Sequence, residues 1–306
     1  MHSIKHMQTF CTVVEYGGFV GAQSSLGMSQ PAISTHIRDF EIRLGFRLCH
    51  RGRGGFRLTE KGEITYRKCR DILNAISDFE ADLGELRNKL TGVLRVGLID
   101  NTVTNGEFPI PEAINRFYRR ANDVSFNLTV LSPEDLEREL LSGSIHLAIG
   151  IFGSRHSGIS YRHLYTEAHK FYCGKNHPLF ELPDEEITME TLQQYPISSR
   201  TYLQQTDLSH FAQHSNTASV SNMEAQAILI TSGSFMGFLP VHYATQWVER
   251  NEMRAFDHLG LHWNSDFQLA VRASPAPKNI VKVFINDIEQ AITERKQQLP
   301  DDGTAG

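Results

Sequence analysis

A chain of 306 residues, 40% hydrophobic and 21% charged, is of ordinary globular composition and too long for a single comfortable core, so two or three compact units are expected. The opening residues show no basic segment followed by an apolar run, and no stretch reaches about 18 apolar residues, which argues against a leader or membrane span and predicts a cytoplasmic protein. Cys11, Cys49, Cys69 and Cys173 lack CxxC spacing and predict neither a disulfide framework nor a zinc site.

The net charge of −5 conceals a split. Residues 1–70 hold 11 Lys+Arg against 5 Asp+Glu, and the remainder 19 against 30. A basic unit fused to an acidic body points to a polyanion as partner, most often nucleic acid.

In chain order, Ile4, Met7, Cys11 and Val14 fall on one helical stripe over residues 4–14, with Ser3 placed to cap it. After the "EYGG" interruption, Phe19, Ala22 and Leu26 continue on a short second helix. Gly27 supplies the tight turn that follows. A third helix begins at Ser29, with Pro31 in its first turn and Ile33, Ile37, Phe40 and Leu44 on its inner stripe. Its outer face presents Pro31, Thr35 and Arg38, flanked by Gln30 and Ser34, which is the pattern of a helix-turn-helix. "FRLCHRGRGGFRLTEKG" reads as a basic hairpin, a wing whose Arg51 and Arg53 can reach phosphates or a narrow minor groove.

From Thr59 a long helix is predicted to reach Leu90. Along it Ile72, Ile76, Phe79, Leu83, Leu86 and Leu90 are spaced 4, 3, 4, 3, 4, the 3.5-residue period of a coiled-coil seam, and they predict dimerisation. Beyond Val93 short strands alternate with helices ("VLRVGLI", "IPEAINRFYRRA", "SFNLTVL", "PEDLERELLSG", "IHLAIGIF"), which predicts a mostly parallel sheet. A second group in the same style follows, and "DFQLAVRA" with the helix "NIVKVFINDIEQAI" closes the chain.

Three blocks carry a family resemblance: "SQPAIS" with "EIRLG", then "RLTEKG", in order and at these intervals. With the weaker echoes "GVLRVG", "LLSGSIHLAIG", "KNHPLF" and "GFLP", the chain resembles the LysR-type transcriptional regulators over almost its whole length. Gly18, Gln23 and Cys49 depart from residues usual in that family, Ser, Ala and Phe. The resemblance implies a multidomain α and α/β protein: a winged helix-turn-helix (2–59), a linker and dimerisation helix (60–91), and a two-lobed effector domain like type 2 periplasmic binding proteins (92–300). Lobe I would comprise 92–164 plus 268–300, and lobe II 165–267. It also implies dimers that pair into tetramers, with promoter or operator DNA, a small-molecule inducer and RNA polymerase as partners. No cofactor beyond the effector is expected.

On this reading Ser29, Gln30, Pro31, Ser34, Thr35 and Arg38 enter the major groove. Open α/β sheets bind ligands outside the carboxyl ends of their strands. That rule selects Asp100, Asn101, Thr102 and Thr104 after the first strand, Ser132 and Gly153 after the next two, and Ser198, Ser199, Ser221 and Asn222 on the second lobe. His156, His163 and His169 fit no metal spacing. The chain carries no G-x-S-x-G, no P-loop and no strand-linked G-x-G-x-x-G, which argues against an α/β enzyme.

Overall fold

The computed structural model describes residues 3–50, 55–86, 89–120, 122–153, 155–203, 211 and 218–298. The chain divides into two compact units, Met1–Val93 with Ser142–Ser144, and Leu94–Leu141 with Ile145–Gly306.

The first unit contains α1 (Ile4–Glu15), α2 (Ala22–Leu26), α3 (Gln30–Leu44), β1 (Cys49–His50), β2 (Arg57–Leu58) and α4 (Glu60–Glu85). Its core gathers Phe10 and Val13 from α1, Ala22 from α2, Ile33, Ile37 and Phe40 from α3, and Leu48. The inner stripe of α1 therefore differs from the expected one: Met7 and Cys11 are buried, but Phe10 and Val13 join them and Ile4 stays about half exposed at 48%. Ser3 occupies the N-cap position of α1 without a side-chain cap bond. Phe19 lies before α2 rather than on it and packs edge-on against Phe56 at 5.9 Å. Gly27 ends α2 at φ 59°, a conformation glycine reaches without a Cβ penalty. β1 and β2 pair antiparallel, Cys49 with Leu58 and His50 with Arg57, and form the stem of the wing.

One expectation about α4 is corrected. The helix stops at Glu85, and Leu90 is the first residue of β3 (Leu90–Leu98) rather than the last residue of a seam. The Lys89 N–H returns to the Gly84 carbonyl at 3.0 Å, a six-residue closure typical of a helix end. The 3.5-residue period runs past that end by coincidence of spacing.

The second unit continues with α5 (Ile110–Arg119), β4 (Asn122–Val130), α6 (Pro133–Ser142), β5 (Leu147–Gly150) and the 16-residue β6 (Ile159–Gly174). Then come α7 (Met189–Leu192), β7 (Ser198–Arg200), β8 (Ala218–Val220), α8 (Met223–Thr231), β9 (Met236–Pro240), α9 (Val241–Val248), β10 (Met253–Ala255), β11 (His262–Arg272) and α10 (Asn279–Gln298). The large sheet has the order β10-β6-β11-β5-β3-β4, with β9 also on β6. β3 and β5 are parallel, as are β7 and β8 in a small second sheet. The pairs β5–β11, β11–β6, β6–β9 and β6–β10 are antiparallel, so the large sheet is mixed rather than mostly parallel.

The reason is topological. β6 leaves the lobe built on β3, β4 and β5, enters the lobe built on β9 and β10, and β11 returns, so the two crossing strands must run in opposite directions. They pair from His262↔Lys170 to Arg272↔Ile159, with a register shift at Phe267/Gln268. α9 and β10 have no counterpart in the sequence expectation. Pro240, at φ −57°, both ends β9 and precedes the first turn of α9, so no polar break marks the change. α10 packs on α5 through Phe117 and Phe284, edge-on at 5.6 Å, and through the fully buried Asp287, which accepts both Nη groups of Arg120 at 2.5 and 2.6 Å.

Candidate DNA-reading helix and effector cleft

Pro31 is accommodated in the first turn of α3, where its missing N–H leaves no helical bond unmade. Ile33, Ile37 and Phe40 are buried, and this fixes the rotation of the helix so that Ser29, Gln30, Pro31, Thr35 and Arg38 face solvent and Ser34 is half-buried. Ser29 holds the extended N-cap conformation, φ −70° and ψ 151°, yet makes no side-chain cap bond. Its hydroxyl therefore does not cap the helix. The Thr35 hydroxyl donates back to the Pro31 carbonyl at 3.0 Å, which ties up its proton on the helix. Arg51 and Arg53 lie outside the described residues, so the structure places only the stem of the wing.

In the second unit the loop after β3 carries Asp100, Asn101, Thr102 and Thr104. Asn101 adopts φ 61°, a left-handed conformation that asparagine tolerates better than most residues. Asp100 Oδ2 accepts the Met223 N–H at the start of α8, joining two segments 123 residues apart. A carboxylate at a helix N-terminus meets unsatisfied N–H groups and the positive end of the helix dipole. From the same loop, Thr104 Oγ1 meets His242 Nδ1 at 2.9 Å, and His242 Nε2 donates to Glu167 Oε1 at 2.8 Å. Asn105 Nδ2 donates to that same oxygen at 3.0 Å. Glu167 sits on β6 where it crosses, so this chain of bonds links the β3 loop, the crossover and the first turn of α9.

His169, two residues on, is fully buried and stacks on Trp263 of β11 at 4.1 Å. Burial, and then the positive charge of Arg200, hold its pKa well below the ordinary histidine value. The ring is therefore neutral, and its 3.4 Å approach to Glu167 Oε2 is not an ion pair. Cys173, further along β6, is buried and its thiol is pushed up to about 12 by burial, which makes it an unreactive core residue.

The remaining expected effector residues fall into different environments. Thr102 is buried beside Asp100. Ser132 accepts the Asp135 N–H at 3.2 Å and caps α6, and Asn222 accepts the Ala225 N–H at 2.8 Å and caps α8. Ser198 is buried inside the second lobe with its hydroxyl on the Met236 carbonyl at 3.1 Å, so it stitches β7 to β9. Ser199 is buried, Ser221 is exposed, and Gly153 is exposed with open space around it.

Sequence reasoning missed Glu167 and His242, and it missed the buried cation of this region. Arg200 ends β7 and is only 1% exposed. Its Nη1 donates to the Tyr202 hydroxyl at 3.2 Å and lies 3.7 Å from Met223 Sδ, and the guanidinium stands 5.7 Å from the centre of the Trp263 ring. The signal was present: the carboxyl-end rule that selected Ser198 and Ser199 reaches Arg200 once β7 is drawn one residue further. Among the described residues no group of three or more His, Cys, Asp and Glu is placed to hold a metal ion.

Comparison with known proteins decides the family. Residues 4–63 match the family model described as a bacterial regulatory helix-turn-helix protein of the lysR family, and residues 87–292 match the LysR substrate binding domain. The chain belongs to the LysR family of transcriptional regulators. It is 34% identical over 286 residues to the HTH-type transcriptional activator BauR of Pseudomonas aeruginosa, a match covering 93% of this chain and 94% of BauR. Full-length CbnR complexed with its target DNA superposes with a TM-score of 0.65 at 18% identity, over 95% of this chain and 100% of that one. CbnR, described as a LysR family transcriptional regulator, gives 0.66 at 17% identity over 95% and 99%. These two likenesses establish the fold: a LysR-type helix-turn-helix followed by an effector-binding domain. No helix among the described residues is long and apolar enough to cross a membrane.

Proposed function

We propose that this LysR regulator binds specific operator sequences through the amino end of α3, and that a small effector held between the two lobes of its second unit controls how it binds or bends that DNA. The observation that carries the reading is the exposed edge Ser29, Gln30, Pro31, Thr35 and Arg38, set opposite the buried Ile33, Ile37 and Phe40. Gln30 has the paired donor and acceptor that match adenine in the major groove, and Arg38 can reach guanine or phosphate. With its hydroxyl bound to Pro31, Thr35 offers its methyl to a thymine methyl, and the unused hydroxyl of Ser29 serves phosphate. Arg51 and Arg53 extend the footprint through the wing.

The effector reading is supported by the loop after β3, which reaches the second lobe through Asp100 and Met223, and by the chain of polar contacts through the buried Glu167 at the crossover. Any ligand that alters the Asp100 or Thr104 contacts alters how one lobe sits on the other. Dimers joined along α4, their pairing into tetramers, contact with RNA polymerase and a cytoplasmic location complete the proposal.

Gel-shift titration of the operator tests the helix placement. Arg38→Ala should weaken all sites, and Gln30→Ala should relax preference at one base pair, each by about 1–3 kcal/mol. Unchanged affinity and unchanged preference in both variants would remove α3 from the groove.

A further inference from the structure

Arg200 is a buried cation whose best hydrogen-bonding edge has no partner among the described residues. Nη1 is engaged by Tyr202 and Met223, while Nε and Nη2 are buried and unpaired. Those two atoms share one side of the planar guanidinium and present two parallel N–H groups, the edge that grips a carboxylate in a bidentate pair. The acidic groups of the region are turned to other donors, Glu167 to Asn105 and His242, and Asp100 to Met223. Native interiors leave few buried polar atoms unpaired, and each needs an explanation.

Several more such atoms lie on the elements that carry Arg200 and its neighbours. Trp263 Nε1 is buried and unpaired on the ring that Arg200 faces, and His169 Nε2 is likewise unpaired on the ring stacked against Trp263. Gln226 Oε1 is unpaired, although Gln226 Nε2 donates to the carbonyl of Ser198, two residues before Arg200. Ser265 Oγ is unpaired on β11, two residues beyond Trp263. The cluster draws on β6, β7, α8 and β11, elements of the second lobe and of both crossing strands.

We propose that Arg200 is the anchor for the effector of this domain, and that the effector is a small carboxylate held side-on by Nε and Nη2 of the guanidinium. The inference rests on the reading that an effector occupies the region between the lobes, and it adds the chemistry and the residue. A carboxylate fits better than a phosphate because one guanidinium, with Glu167 and Asp100 close by, balances a single negative charge and not two. The aromatic rings of Trp263 and Tyr202 flank the guanidinium. Leaving a guanidinium buried and unpaired is a cost to the fold that a binding role explains.

Thermal melting of the full-length protein at constant ionic strength provides the test. The probes are sodium salts of C2 to C6 alkanoic, hydroxy, keto and amino acids and of benzoic acid, each beside its primary amide, with inorganic phosphate as a further anion. At least one carboxylate should raise the midpoint while its amide does not. Arg200→Met should abolish that response while leaving the ligand-free midpoint equal or higher, because an unpaired buried charge has been removed. Arg200→Lys keeps the charge but loses the fork and should weaken the affinity about tenfold to a hundredfold. Amides acting as well as acids, phosphate acting more strongly than any carboxylate, a response that survives Arg200→Met, or no response to any carboxylate would each overturn the assignment. A neutral compound that stabilises the protein and changes its operator footprint would sink the anchor and keep effector control. A carboxylate that needs Arg200 but leaves DNA binding untouched would do the reverse.

Discussion

A protein carrying Phe79→Asp together with Leu83→Asp is expected to sediment as a monomer and to lose at least about a hundredfold in operator affinity. On α4 these side chains, with Ile72, remain 60%, 39% and 43% exposed in the single chain, and Ile76 is half-buried beside them. Singly exposed apolar residues are common, but four at a 3.5-residue period along one helix form a stripe that a second α4 would cover. Each large side chain removed from water there contributes about 1.5–3 kcal/mol. Two carboxylates brought face to face with their copies would oppose the same contact. Joining two reading heads makes the second half-site encounter intramolecular, which raises apparent affinity by about 10²–10⁴. Sedimentation velocity and gel shift on the same preparation check both parts, and a double variant that stays dimeric would move the dimer contact off this stripe. Leu86 and Leu90 are not part of the test, since Leu86 follows the end of the helix and Leu90 begins β3.

The contrast between the two units shows which parts of this structure sequence can reveal. In the first, the decisive relations are local. The burial of Ile33, Ile37 and Phe40 follows from helical spacing, and it alone sets which side of α3 faces outward. Where local spacing continued past its physical cause, as at Leu90, it misled, because a period has no knowledge of the chain reversal after Gly84. In the second unit the carboxyl-end rule led to the loop from Asp100 to Thr104, yet could not show that Asp100 is held by a helix starting at residue 223. It could not separate hydroxyls with structural work, those of Ser132 on α6 and Ser198 on β9, from groups left unpaired. Glu167 meets His242, and Arg200 meets Met223 and Trp263, only through crossing strands and contacts tens of residues apart. Their significance lies in which hydrogen bonds are already taken, and no motif carries that information.

Gly62, the glycine of "RLTEKG", is held to glycine by sterics. A Cβ on Gly62 would lie 1.9 Å from the Leu48 carbonyl oxygen and 2.9 Å from its carbon. Neither side of that contact is free to yield. The Thr59 N–H donates to the same Leu48 oxygen at 2.9 Å, and the Thr59 hydroxyl bonds the Arg47 carbonyl at 2.8 Å while accepting the Gly62 N–H at 2.9 Å. The Leu48 N–H is held in turn by Glu41 Oε1 at 2.8 Å, and the Leu48 side chain is fully buried in the core of the head. A methyl group must therefore push α4 off the strand that begins the wing, which breaks the cap and opens the core around Leu48. Overpacking costs about 1–3 kcal/mol, and the pinned backbone on both sides of this contact puts it at the upper end, a large share of the stability of a domain of this size. Gly62→Ala, and more so Gly62→Val, should expose residues 1–93 to limited proteolysis and abolish operator binding. The second unit should keep its ligand response, because its core lies elsewhere in the chain. Replacing the neighbouring exposed Lys61 with alanine should change proteolysis little. A Gly62→Ala protein as protease-resistant and as tight on DNA as the parent would mean that α4 and β1 are less closely apposed than this contact requires.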